Sequence, residues 1–259
     1  MVCARGETMR VLDLFSGIGG FSLGLERAGM ETVAFCEIDP HARAVLNKHW
    51  PRVRTYDDVC KLTADRLASD GIGPIDVITG GFPCQDVSVA GKQAGIEDGT
   101  RSGLWSEIAR LVGELRPRFV IVENVSNLLA GPSERPGRWF GRVLGDLAAL
   151  GYDAEWHCIP ASYLGAWHQR DRVWLVAYSH EVQRESGLQV PILRQSHLSD
   201  KLSRGFEDWP GRRNLPRSVL HRKCNGVPRL MDRIERLGNS VVPQIPEMIG
   251  RAIMATQTA

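Results

Sequence analysis

Apolar residues along the chain follow two alternating rhythms. Short, nearly continuous runs, RVLDLF (10–15), TVAFCE (32–37), IDVITGG (75–81), FVIVEN (119–124), DAEWHCIPA (153–161) and RVWLVAYS (172–179), have the length of buried strands. Between them the apolar positions recur at helical spacing. FSLGLERAG (21–29) is closed by Gly29 at its carboxyl end, and DPHARAVLNKHW (39–50) opens with Asp39 as cap and Pro40 at the first helical position. SGLWSEIARLVGEL (102–115) places Leu104, Ile108, Leu111 and Leu115 along one face, and WFGRVLGDLAALG (139–151) continues the pattern. Strand–helix units of this length predict the α/β class, with a mostly parallel sheet covered by helices on both faces. Ligands of such sheets bind at the carboxyl ends of the strands, so the turns that follow strands are the places to look for chemistry.

Composition changes this picture little. The chain has 259 residues, 43% hydrophobic and 24% charged, with no repeat, which suits one sizeable core plus a modest second unit. No apolar run reaches membrane-spanning length and MVCARGETMR lacks the apolar centre of a signal peptide, so a soluble, cytoplasmic protein is expected. Met9 stands directly before the first strand, which makes residues 1–8 read as an extension. Six scattered cysteines form no C-x-x-C pair and no cysteine/histidine cluster, so neither a disulfide framework nor a metal is expected, and most of them read as packing residues. Charge is more informative once divided. Residues 181–228 hold nine Lys/Arg against five Asp/Glu and are rich in Pro, Gly and Ser, so they read as a small loop-rich unit able to face nucleic-acid phosphates. A solvated insertion fits that charge equally well.

Two places carry candidate chemistry. In SGIGG (16–20), Gly17, Gly19 and Gly20 let backbone approach a ligand, and the next helix points its N–H groups there. Glu37 ends the following strand 20 residues after Gly17, where a carboxylate can accept from ribose hydroxyls. The second place is TGGFPCQDVS (79–88), in which Pro83 and Cys84 follow a strand end. A lone intracellular cysteine is ordinarily a small buried apolar residue. Here, however, Glu123 ends the next strand on the same rim, and Arg170 and Arg172, two apart in QRDRVW, share one face of a later strand. A thiol, a carboxyl and two guanidinium groups beside a nucleoside site point to nucleophilic catalysis on an electron-poor ring.

DLFSGIGG, CEID, GGFPCQDVS, VENV, QRDRVWLVA and LGNSVVPQI, in this order across nearly the whole chain, resemble the motifs of the DNA (cytosine-5)-methyltransferases of bacterial and phage type. The resemblance implies the Rossmann-like fold of S-adenosylmethionine-dependent methyltransferases, with a catalytic domain at 1–180, a small target-recognition region at 181–228, and a carboxyl-terminal segment, 229–259, whose helix returns beside the first strand. It implies S-adenosylmethionine as cofactor, with Phe15 stacked on adenine, Gly17, Gly19 and Gly20 at the amino-acid end, Glu37 on the ribose, and Asp58 and Val59 at the adenine. Ile38, Pro83, Leu104, Asn239, Ser240 and Val241 would complete the pocket. It implies that Cys84 adds to carbon 6 of a flipped-out cytosine, that Glu123 binds ring nitrogen 3 and the exocyclic amine, and that Arg170 and Arg172 hold the base carbonyl. The segment 85–101, with Gly91, Gly95, Gly99, Lys92 and Arg101, would close over the base. The partner implied is double-stranded DNA, bound by a monomer and read by some of Arg194, Arg204, Arg212, Arg213 and Arg217, with a cognate restriction endonuclease as companion system. A 48-residue recognition region is short for the family. A tRNA-acting relative and an inactive cofactor-binding regulator remain as alternatives.

Overall fold

The apolar runs pair into one seven-stranded sheet in the computed structural model, which describes residues 8–83, 104–131, 137–160, 171–186 and 240–257. The strands are β1 (Arg10–Leu14), β2 (Glu31–Cys36), β3 (Arg54–Tyr56), β4 (Val77–Gly80), β5 (Phe119–Val125), β6 (Tyr152–Pro160) and β7 (Asp171–Ser179). Their spatial order is β3-β2-β1-β4-β5-β7-β6. The first five are parallel, whereas β7 runs antiparallel between β5 and β6. The described helices are α1 (Gly20–Arg27), α2 (Pro40–His49), α3 (Ala64–Ser69), α4 (Trp105–Leu115), α5 (Arg138–Ala149), α6 (His180–Ser186) and α7 (Gln244–Thr256), with one-turn 3₁₀ helices at Val59–Lys61 and Ser126–Leu129. The predicted α/β class and mostly parallel sheet are therefore what the chain forms.

Alternation along each strand sorts the core into two layers. Leu12, Leu14, Ile78, Val120, Val122, Val173 and Leu175 face α4 and α5. Val11, Val77, Phe119, Ile121, Trp174 and Val176 face α1 and α7. Burial on both faces is why these strands read as continuous apolar runs. α2 starts as its sequence predicts, with the Asp39 carboxylate accepting from His41 N at 2.8 Å. The buried stripe of α4 is rotated from the predicted one. It is Trp105, Ile108, Leu111 and Val112, while Leu104 and Leu115 are half-buried. The Trp105 ring is fully buried against Phe82, and its Nε1 reaches Asp146 of α5 at 2.8 Å, so this large side chain sets the helix's roll.

α7 packs on α1, and its Ile245, Ile249 and Ile253 are buried with Val11 of β1. The return of the carboxyl-terminal segment to the first strand thus takes place through α1. Met9, which stands directly before β1, is buried in the same layer and its carbonyl accepts from Glu31 N at 2.9 Å. Among the described residues no helix is long and apolar enough to cross a membrane, and no three acidic, histidine or cysteine side chains are grouped as metal ligands.

Candidate active site

The turn after β1 departs sharply from strand geometry. Phe15 has φ 53°, a left-handed conformation that costs a bulky residue on the order of 1–3 kcal/mol. Ser16 locks it there. Its N–H donates to Cys36 O at 3.2 Å, and its hydroxyl donates to Asp13 O at 2.6 Å. Gly17 and Gly19 also have positive φ. A Cβ at Gly19 would come 2.6 Å from the Trp50 ring, and one at Gly20 would come 2.5 Å from Val241 O. The glycines thus allow α2's end and the 240–243 segment to close on the turn. Glu37, at the end of β2, spans the gap: Oε2 accepts from Gly17 N at 2.7 Å and Oε1 from Asp39 N at 2.8 Å. Glu37 N donates to Tyr56 O at 2.9 Å, which brings the end of β3 and the Asp58–Val59 pair to the same rim.

The other residues expected at a cofactor pocket stand on the neighbouring elements. Asp58 caps the 3₁₀ helix, accepting from Cys60 N at 3.0 Å, and this bond together with Lys61 holds its carboxyl below the usual carboxylate range. Val59 is buried, and Phe15, Tyr56 and Leu104 pack half-buried on the same core layer. Ile38 is 76% exposed although apolar. Ser240, Val241 and Pro83 are half-buried, and Asn239 lies outside the described residues. A carboxylate tied to a glycine turn, a half-buried phenyl ring and an exposed isoleucine form a surface that suits an adenosine: two hydroxyls for Glu37 and apolar faces for a purine. The residues present therefore fit S-adenosylmethionine.

The second candidate group stands on β4, β5 and β7. Because β7 is antiparallel, its first residues meet the carboxyl end of β5, with Val125 opposite Arg172 and Glu123 opposite Trp174. Residues opposite each other share a face, so Arg172 reaches diagonally to Glu123, and its Nε lies 3.0 Å from Oε1. The Glu123 side chain is about 10% exposed. Gly81, following β4, passes so close that a Cβ there would lie 3.5 Å from Glu123 Oε2. Asn124, on the opposite face of β5, donates from Nδ2 to Phe82 O at 3.2 Å, two residues before position 84. Cys84, Arg170, the segment 85–101 and the five arginines named as base readers lie outside the described residues.

Asn124 and Asp13 were missed by the sequence reading. The signal for Asn124 was its place in VENV, directly after the carboxyl and hence on the other face of the strand. Asp13 is fully buried in β1, where it accepts from Ser22 Oγ at 2.8 Å and Thr79 Oγ1 at 2.7 Å, joining α1 and β4 to β1. Burial pushes its pKa up from 3.8 to about 7. The cysteine reading needs correction: of the described cysteines only Cys36 is a buried packing residue, whereas Cys60 and Cys158 are exposed. Burial pushes the Cys36 thiol up to about 12, and the other two are also raised by desolvation, so none of these three is an activated thiolate.

Comparison with known proteins gives a consistent result. The profile of the family described as C-5 cytosine-specific DNA methylase matches residues 9–223. The type II methyltransferase M2.BsuMI of Bacillus subtilis is 38% identical over 173 residues, covering 65% of this chain and 42% of that protein. The type II methyltransferase M.HgiBI of Herpetosiphon aurantiacus is 34% identical over 217 residues, covering 81% of this chain and 48% of its own length. A solved structure described as a DNA modification methyltransferase encoded within an Escherichia coli prophage superposes with a TM-score of 0.57 at 31% identity, over 68% of this chain and 48% of that one. The chain spans about half the length of the curated relatives it matches.

Proposed function

The chain belongs to the C-5 cytosine-specific DNA methylase family, and from that premise we propose that it transfers a methyl group from S-adenosylmethionine to carbon 5 of cytosine in double-stranded DNA. The observation that carries this reading is the Glu123–Arg172 pair at 3.0 Å, set beside Gly81 on the same end of the sheet as the glycine turn that Glu37 braces, with β4 between β5 and β1. An amino-methylating enzyme needs no such carboxyl beside a strand end that leads to a cysteine.

Carbon 5 of cytosine is a poor nucleophile. In the proposed mechanism the Cys84 thiolate donates an electron pair to form a sulfur–carbon 6 bond, and the ring's displaced π electrons make carbon 5 electron-rich. Glu123 hydrogen-bonds ring nitrogen 3 and the exocyclic amine, where charge accumulates, and Arg172 keeps the carboxyl turned to the rim through Oε1. Arg170 and Arg172 hold the base carbonyl. Bound S-adenosylmethionine supplies the methyl group as a sulfonium. Loss of the carbon 5 proton and departure of the Cys84 sulfur restore the aromatic ring and the thiolate. The base must leave the duplex stack to reach these groups, at a cost of a few kcal/mol. Residues 181–228 are proposed as the target-recognition region, attached to the catalytic domain through α6.

Bisulfite sequencing of DNA from a host expressing the chain tests the reading directly. Protected cytosines in one sequence context are expected, and none with Cys84→Ala. An oligonucleotide carrying 5-fluorocytosine should become covalently attached at Cys84, because the fluorine cannot leave as a proton does. Methylation of tRNA but not duplex DNA by labelled cofactor would replace the DNA reading, and cofactor binding without transfer to either would leave a regulator.

A further inference from the structure

The 3₁₀ helix at Val59–Lys61, adjoining the proposed adenine contacts, is a single turn, and a turn of this kind has little stability of its own. It is held from α4. Arg110 donates from Nη2 to the carbonyls of Val59 at 3.1 Å and Leu62 at 2.8 Å, the carbonyl end of that turn. Its Nε donates to Glu107 Oε2 at 2.8 Å and its Nη1 to Glu114 Oε1 at 2.7 Å, so the fork is fixed by its own helix on the other side. Glu114 Oε2 then accepts from Ala64 N at 3.0 Å, the first residue of α3. One planar guanidinium and one carboxylate therefore grip the segment 59–64 at both ends. The same helix begins next to Leu104, also in the proposed pocket. Any rotation of the 3₁₀ turn would carry Asp58 and Val59 with it.

We propose that Arg110 is a positioning residue for the adenine end of the cofactor site, acting through the Val59 and Leu62 carbonyls to present Asp58 and Val59 to the purine. This rests on the S-adenosylmethionine reading above. Arg110 touches neither substrate nor cofactor. Its effect is on recognition of position 6 of the purine, where the Asp58 carboxylate, an acceptor, favours the amine of adenine over the carbonyl of hypoxanthine.

The test is calorimetric binding of S-adenosylhomocysteine and S-inosylhomocysteine to the full chain and to Arg110→Met and Arg110→Lys. The wild type should prefer the adenosyl compound by about tenfold or more, as expected where a polar contact is replaced by a mismatched one. Arg110→Met should weaken the adenosyl compound about tenfold and the inosyl compound much less, so that the preference collapses. Arg110→Lys, whose ammonium can hold one carbonyl at a time, should be intermediate, and it reads the same ratio if the methionine variant does not fold. KM for S-adenosylmethionine should rise with kcat at saturation retained. A preference kept at its wild-type value in the variants, whatever their melting temperature, overturns the proposal alone. Failure of the wild type to bind S-adenosylhomocysteine overturns the cofactor reading and the proposal with it.

Discussion

Asp13 is a carboxylic acid placed where water does not reach, and the Ser22 and Thr79 hydroxyls donate to it. Its folded pKa of about 7 lies above the ordinary 3.8, so the folded state binds the proton more tightly than the unfolded chain. The associated stability is fully present below about pH 4 and is lost as pH rises toward 7. With ~1.4 kcal/mol per pH unit over roughly three units, the loss is on the order of 4 kcal/mol. Denaturant unfolding at pH 5 and 7.5 should therefore show a falling stability in the wild type that Asp13→Asn lacks; parallel pH slopes would mean that Asp13 is ionised in the fold. Nothing in DLF marks that carboxyl as buried, since an acid inside an apolar run looks the same whether it points at solvent or at Thr79. Glu123 is different. Its proposed role rests on position at a strand end, and Glu123→Gln should lower turnover by roughly 10² to 10⁴ if it acts as the acid partner of the ring, with the fold unchanged by circular dichroism.

α1 and α7 meet through glycine. A Cβ on Gly24 would run into the Pro243 carbonyl and come 2.7 Å from the Pro246 ring, and one on Gly250 would lie 2.7 Å from Ala28 Cβ. The junction's strength comes from Ile245, Ile249 and Ile253, each worth roughly 1.5–3 kcal/mol buried. The Arg27–Glu247 ion pair, 3.8 Å apart with Arg27 about half exposed, contributes about 0–1 kcal/mol. Alanine is ordinarily better in a helix than glycine by about 1 kcal/mol, yet overpacking costs typically 1–3 kcal/mol. Gly24→Ala should thus lower the melting temperature by a few degrees and also weaken S-adenosylmethionine, because Val241 rides on the same junction against Gly20; a raised melting temperature would refute this packing. The helices α1, α2, α4 and α5 were legible because each carries a cap or a long apolar stripe. β3 and α3 were not. β3 is three residues, Arg54–Tyr56, with no apolar run, and it exists because Ala34–Cys36 offers it a ladder. α3 is six residues, too short for a period to show.

At the scale of the whole molecule, the positive excess of residues 181–228 follows the last strand in chain order, on a chain that spans about half the length of the curated relatives it matches. If Arg212 and Arg213 contact phosphates, replacing both by alanine should reduce the slope of log affinity against log salt by about 2 and weaken all duplexes alike. An unchanged slope with loss of site preference would place them on base edges instead. The sequence by itself determined the α/β class, the glycine turn, and the ends of strands that bear Glu37 and Glu123, because these depend on local periodicity and on residue types that few conformations tolerate. Only the tertiary structure decided that β7 runs backward and so delivers Arg172 to Glu123, that Asn124 holds Phe82, and that Arg110 reaches across to Val59 and Leu62. Those contacts join residues some 40 to 50 positions apart, and their pairing follows from sheet order and helix roll, which no local pattern encodes.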